Sequence, residues 1–324
     1  MTTAAAGPRT PGRRGGAVRS IRLRPRATLA LLLATTIGVA AFTWPLLVGP
    51  DTVLGNLRDA PLVFTLLLPL VLMVVLTEIA EGGIDAKAVA MLGVLTAVGA
   101  ALRPLGTGIA GFEPVFFLLV LAGRVHGPGF GFVLGATTLF ASALTTGGVG
   151  PWLPFQMLGA AWVGAGAGLL PPLRGRAELG LLAAYGAVAG LLYGLLLNLT
   201  FWPFTLQETT AISYIAGDPL GDNLRRFVTF TLVTSLGFDV PRAVVTAGLV
   251  LVTGRPLLRA LRRAARKAAF DVPVDFVPAP SATGGPAVGA GPDGAAPGAA
   301  PDHLSAGGGT ATSSADRTPR PDRR

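Results

Sequence analysis

Eight apolar runs of near membrane-spanning length, almost free of charge, constrain this chain more than any other feature of its sequence. They fall at residues 27–49, 61–80, 87–102, 114–123, 128–146, 154–170, 179–202 and 240–258. A helix needs about 20 apolar residues to cross the hydrocarbon core of a bilayer. Inside that core each backbone N–H and C=O must be paired within the segment, so runs of this kind cross as helices. Composition agrees: 13% of the 324 residues are charged and 51% are hydrophobic, with a mean hydropathy of +0.61. Soluble domains carry about 25% charged residues. The expected fold is an all-α, polytopic integral membrane helical bundle. The run 114–123 is too short to cross alone, and must tilt, extend into Arg124 or be buried by its neighbours. The run 27–49 exceeds the apolar stretch of a signal peptide, about 7–15 residues, and reads as a retained first span. The apolar stretch 223–236 is interrupted from Gly237 to Pro241, and reads as a helix at the outer interface or folded back over the bundle.

Cations orient such a bundle. With a cytoplasmic N-terminus, 17 Lys and Arg residues fall on the cytoplasmic side and five outside. The reverse topology inverts that ratio. The chain is therefore expected to be a multi-pass plasma-membrane protein with both termini cytoplasmic. Its net charge of +9 sits mainly at the two ends and does not imply nucleic acid. Residues 255–270 continue the last span as a basic amphipathic helix, either a flank held by anionic headgroups or a docking surface. Beyond residue 277 the Gly, Pro and Ala-rich tail buries too little to offset its ordering entropy, and is expected to be disordered.

Small residues recur four apart: Gly127, Gly131 and Gly135; Gly186, Gly190 and Gly194; Gly164 and Gly168; Ala86 and Ala90. Four residues is just over one helical turn, so each set forms a smooth stripe that lets another helix approach closely.

Catalytic chemistry is scarce. Cys is absent, and the two histidines, His126 and His303, lie in a turn and in the tail. No HExxH, G-x-S-x-G or G-x-x-x-x-G-K-[ST] motif occurs, so metalloprotease, hydrolase and ATPase lack their working parts. No cofactor or metal is expected. Ion-coupled carriers use ionisable residues near the midplane; here such residues sit at helix ends, most of them external. Active transport by this chain would draw its energy from an ion gradient or from another subunit.

On this topology the outer halves gather polar and aromatic groups: Arg103, Thr107 and Glu113; Thr145, Thr146, Trp152, Phe155 and Gln156; Asn198, Trp202, Asp239 and Arg242. An apolar and aromatic wall with a few oriented polar groups suits a small-molecule pocket. Each candidate also has a plainer role. Trp152 and Trp202 fit an interfacial aromatic belt. Asp239 and Arg242, three apart on one helix, can pair with each other or with Arg225 and Arg226. Glu113 beside Pro114 needs a partner, for which Arg103 is available. Gln156 and Asn198 lie one turn inside their helix ends, where unpaired amides are costly, and either bond across helices or meet a ligand. The segment 204–223 is long enough to form a lid.

The run GFEPVFFLLVLAGRVHGPGFGFVLGATTLFASALTTGGVGPWLPFQMLGAAWVGAGAGLLP at 111–171, with TSLGFDVPRAVVTAGLVLVTGRPLLRALRR near the last span, resembles the substrate-binding S components of energy-coupling factor (ECF) transporters. The resemblance covers about residues 86–262, and the run also resembles the members proposed for cobalamin uptake. It implies a six-helix core at 86–262, preceded by a basic arm at 1–26 and two extra transmembrane helices within 27–85. A basic helical extension at 263–276 and the tail at 277–324 follow. It also implies a non-enzymatic subunit that captures a vitamin or similar micronutrient from outside. Such a subunit works in a complex with a transmembrane coupling subunit and two cytoplasmic ATPases. In the family an Ala-x-x-x-Ala motif on the first core helix meets the coupling subunit, and Ala86 and Ala90 match it. Arg103, Glu113, Trp152, Gln156, Asn198, Trp202 and Asp239 are the substrate-binding candidates. Cobalamin is the preferred substrate; a thiamine precursor, another vitamin or a small peptide stays open. The alternatives are an autonomous ion-coupled secondary carrier and a membrane scaffold protein. Nothing in the residues accounts for the two extra helices.

Overall fold

A computed structural model of the chain describes residues 25–47, 65, 67–81, 86–106, 109–205 and 210–268. The arm before Pro25, Thr107 and the tail from 277 lie outside these residues. The described chain is built of helices: α1 (Pro25–Leu47), α2 (Leu67–Glu81), α3 (Ala86–Leu102), α4 (Val115–His126), α5 (Pro128–Thr146), α6 (Leu153–Leu169), α7 (Gly175–Thr205), α8 (Leu220–Thr234) and α9 (Leu236–Ala268). A 3₁₀ turn, Arg103–Gly106, closes α3.

Among the described residues, five segments are long and apolar enough to cross a membrane: Thr28–Leu46, Ala86–Gly106, Pro128–Thr146, Gly175–Thr205 and Leu236–Arg266. Helix α4 is the short run identified from sequence, and two of the expected solutions occur together. It extends through Arg124 to His126, and ten of its twelve residues are buried. At 1.5 Å per residue it is only ~18 Å long, so it serves as the buried centre against which α5, α6 and α9 pack.

The glycine stripes explain how closely the helices pack. Among the described helices, α5 and α6 make the most intimate pair. A Cβ on Gly131 would strike the Gly164 carbonyl, and one on Gly135 the Ala160 carbonyl. Gly168 meets the start of α5 at Pro128 in the same way. The stripe Gly186, Gly190 and Gly194 on α7 faces α9 at Thr246, Ala243 and Asp239. Gly127 (φ 96°) makes the turn between α4 and α5 possible, because L side chains avoid that region.

The interruption before the last span falls at Ser235, upstream of the Gly237–Pro241 stretch expected to cause it. Ser235 closes α8, its N–H donating to Thr231 O (3.0 Å), and the chain then re-enters α9 at once. From there α9 runs through Pro241 and Pro256 for 33 residues, so the basic extension continues the span as one helix as far as Ala268.

Helix α1 packs on α2 and α7, and α2 also touches α5 and α6. Phe42 sits edge-on to Phe155 (5.1 Å between centroids) and beside Trp162 (5.3 Å). Gly38 leaves the room that the Trp162 ring fills, and Trp162 Nε1 donates to Thr35 Oγ1 at 3.3 Å. The first helix is thus built into the same apolar core as the helices that follow.

Candidate functional site

Arg103 at the end of α3 bonds Gln156 at the start of α6, and Arg242 at the start of α9 bonds Glu113 at the start of α4, so these helix ends meet at one end of the bundle. There a cavity of about 290 Å³ opens, lined by Arg103, Glu113, Ser142, Thr146, Trp152 and Gln156 among others. Each residue is placed by local structure. Arg103 begins the 3₁₀ turn that ends α3, and Glu113 stands just before Pro114, the N-cap of α4. Ser142 and Thr146 lie one turn apart on the last turns of α5. Gly147 (φ 69°) then turns the chain toward α6. Trp152 caps α6, its Nε1 donating to Gly148 O at 3.1 Å, and its ring lies against Gly150 where any Cβ would clash. The tryptophan remains 40% exposed, at the rim.

Two polar arrangements hold the walls. Arg103 Nη2 donates to Gln156 Oε1 at 2.8 Å, joining α3 to α6. Arg242, buried on α9, donates through Nε to Glu113 Oε2 (2.9 Å) and through Nη2 to Glu113 Oε1 (3.3 Å). Its Nη1 donates to Asp239 Oδ1 at 2.6 Å and to the Gly190 carbonyl at 3.3 Å. The guanidinium also lies over the rings of Phe116 (6.0 Å) and Tyr193 (5.4 Å), a geometry in which cation and π-face attract. The expected Asp239–Arg242 pair is present. Glu113, in contrast, is held by Arg242 rather than by Arg103, because the start of α9 packs closer to it than the end of α3 does.

Of the seven residues singled out from sequence, Arg103, Glu113, Trp152 and Gln156 converge on the cavity. Asp239 stands behind Glu113, one guanidinium removed. Asn198 and Trp202 are not among the lining residues. Asn198 Nδ2 is buried without a hydrogen-bond partner. Trp202 anchors a separate apolar cluster with Leu199, Phe227 and Phe230. Its Nε1 donates to Ile212 O at 2.6 Å. That bond fixes the stretch from Thr210 to Pro219, which lies within the expected 204–223 lid. Asn223 reinforces it, Nδ2 donating to Ile215 O (2.8 Å) and Oδ1 accepting from Ile215 N (3.2 Å). An ion pair between Arg226 and Asp218 (2.5 Å) adds to it. Tyr214 packs on Trp202 and on Trp44 of α1, and burial there raises its phenol pKa. The segment is a cap on α7, α8 and α1, and its residues do not line the cavity.

Sequence reasoning left Ser142 and Arg242 off the site. Ser142 lines the cavity, and its Oγ is buried with no hydrogen-bond partner. A serine in an apolar helix usually bonds a carbonyl one turn back, as Thr137 and Thr146 do here, so nothing in the sequence marks it out. Arg242 stood among the polar groups of the outer face, but as an ion-pair partner rather than a substrate-binding candidate.

Ala86 and Ala90 lie at the opposite end and on the outer surface of α3, both exposed. No group of His, Cys, Asp or Glu among the described residues is arranged to hold a metal. Comparison with curated proteins and with solved structures gives no match. The family described as "ECF transporter, substrate-specific component" matches residues 87–253, from α3 through most of α9. That is a family of transporter subunits rather than of enzymes, and its stretch holds every residue that lines the cavity. With its polytopic helical bundle and its match to more than half of the sequence, this chain belongs to the family of substrate-specific components of ECF transporters.

Proposed function

We propose that this protein is the capture subunit of an ECF-type transporter in the plasma membrane. It binds a vitamin or similar micronutrient from outside, in the cavity at the Arg103 end, with both termini cytoplasmic. A transmembrane coupling subunit and two cytoplasmic ATPases then drive uptake. The observation that carries this reading is the cavity itself: four polar side chains chosen from sequence converge on it from α3, α4 and α6. Buried charged groups stand behind it, and a bundle packed through glycine stripes surrounds it. Arg103, Glu113, Trp152 and Gln156 contact the substrate. Asp239 acts through Arg242, while Asn198 and Trp202 belong to the adjoining wall and cap.

The docking role assigned to Ala86 and Ala90 is supported by their exposure and by the small residues that continue their stripe, Gly93 and Ala97. Nothing lies within 4 Å of where a Gly93 Cβ would be, so a partner helix has free access there. Substrate size is informative. A cavity of about 290 Å³ stands at the lower end of the ~300–1,000 Å³ range of ligand pockets. It suits a vitamin of one or two rings. Cobalamin, the candidate suggested by sequence resemblance, would place only an edge of its macrocycle there.

Native mass spectrometry of the protein purified from its own membranes in mild detergent tests the reading. A small molecule should co-purify, and the coupling subunit and ATPases should be recovered with the full chain. Flux of substrate through the isolated protein in liposomes under a cation gradient would instead make it an autonomous carrier.

A further inference from the structure

The charges around the cavity have a polarity that narrows the substrate class. Arg103 is hydrogen-bonded to the neutral Gln156 amide, and among the described residues no carboxylate forms an ion pair with it. A guanidinium has five N–H donors, so most of its capacity remains. On the other wall Glu113 and Asp239 share the single guanidinium of Arg242, which leaves that triad with one excess negative charge. Each Glu113 oxygen accepts one bond from Arg242 and has a second lone pair, and the carboxylate is 35% exposed. The two opposite charges line one small cavity. Each is restrained by its own neighbour, Gln156 for Arg103 and Arg242 for Glu113. Ser142 adds a buried hydroxyl with no partner. An unpaired polar group in such a place is costly to leave unmatched.

We propose that the cavity takes a small zwitterion, its carboxylate on Arg103 and its protonated nitrogen on Glu113, with the Ser142 hydroxyl hydrogen-bonded to the body between them. The proposal rests on the capture reading above and adds the class of molecule. A neutral ligand would strip water from both charges without replacing it. An anion or a cation would satisfy one wall and be repelled by the other. Trp152 at the rim offers a flat surface for the ring of such a molecule.

The test uses the full-length protein in lipid nanodiscs. The molecule that co-purifies is extracted and identified, then titrated back beside its methyl ester and its N-acetyl derivative. Each derivative should bind about tenfold more weakly than the parent, the loss expected for one charged hydrogen-bonded contact. Arg103→Gln should abolish the preference for acid over ester while leaving that for amine over acetamide. Glu113→Gln should do the reverse, and this reciprocal pattern distinguishes contact from misfolding. A molecule lacking either charge, or derivatives that bind as tightly as the parent, overturns the proposal and leaves the capture reading intact. Recovery of no molecule from the wild-type protein overturns both.

Discussion

The two ends of the bundle carry ion networks of opposite stoichiometry. At the cavity end one guanidinium, Arg242, serves two carboxylates, Glu113 and Asp239. At the other end one carboxylate, Glu178, serves two guanidiniums, Arg124 at 2.9 Å and Arg262 at 2.5 Å. Arg124 also donates to the carbonyls of Leu170 (2.7 Å) and Pro171 (3.0 Å), closing the turn before α7. Glu178 sits in the first turn of α7, where the helix N-terminus favours a negative charge. The Glu178 network is a closed clamp, with its carboxylate buried and its bonds directed among α4, α7 and α9. The Arg242 network is open on one side, because Glu113 reaches the cavity. The bundle is thus tied at one end and keeps free acceptor capacity toward the cavity at the other.

Breaking the two networks should cost different amounts. The largest effect is expected from Arg242→Met, which leaves Glu113 and Asp239 as uncompensated carboxylates. Removing one partner of a buried ion pair costs about 3–5 kcal/mol, which should show as a marked fall in thermal midpoint in detergent. An unchanged midpoint would mean that this network is solvated and the comparison empty. Gly194→Ala comes next, since its Cβ would meet the Asp239 carboxylate; overpacking of this kind costs about 1–3 kcal/mol. Gly93→Ala, which meets open space inside a helix, is the control and should not lower the midpoint, since Ala favours the helix over Gly. Arg262→Gln should cost least, about 1 kcal/mol or below, because Arg262 is 37% exposed and Arg124 stays on Glu178. A larger loss there than at Arg242 would reverse the order of the two ends. Ala90→Leu probes function rather than stability: uptake should fail while ligand affinity holds, and equal loss of both would move Ala90 into the bundle's packing.

The sequence made the helices legible because the bilayer demands long uncharged runs, and the glycine stripes legible because close approach demands small residues at one-turn spacing. Gly131 and Gly164 were identified on separate helices and meet face to face. Pairing between helix ends was harder to see. Glu113 and Arg242 are 129 positions apart, and hydropathy does not say which neighbouring end lies closest. Ser235 ends α8 through backbone geometry with no glycine or proline to announce it. Trp202 shows the same limit, since an aromatic at a helix end fits a membrane belt, a pocket wall or the anchor of a cap. Its bond to Ile212 O decides for the cap. The extra helix α1 gained a structural account that its sequence withheld: Trp44 packs on Phe204 and Tyr214, steadying that same cap.

Whether substrate binds at the Arg103 cavity or beneath the cap is the central question, and affinity in three variants answers it. The co-purified molecule would be titrated into Trp152→Ala, Gln156→Ala and Trp202→Ala in nanodiscs beside the wild-type protein. The account predicts about tenfold weaker binding in the first two, the cost of one lost contact, and affinity unchanged within about twofold in the third. Full affinity in Trp152→Ala and Gln156→Ala, with binding lost in Trp202→Ala, would place the site under the cap and contradict the account.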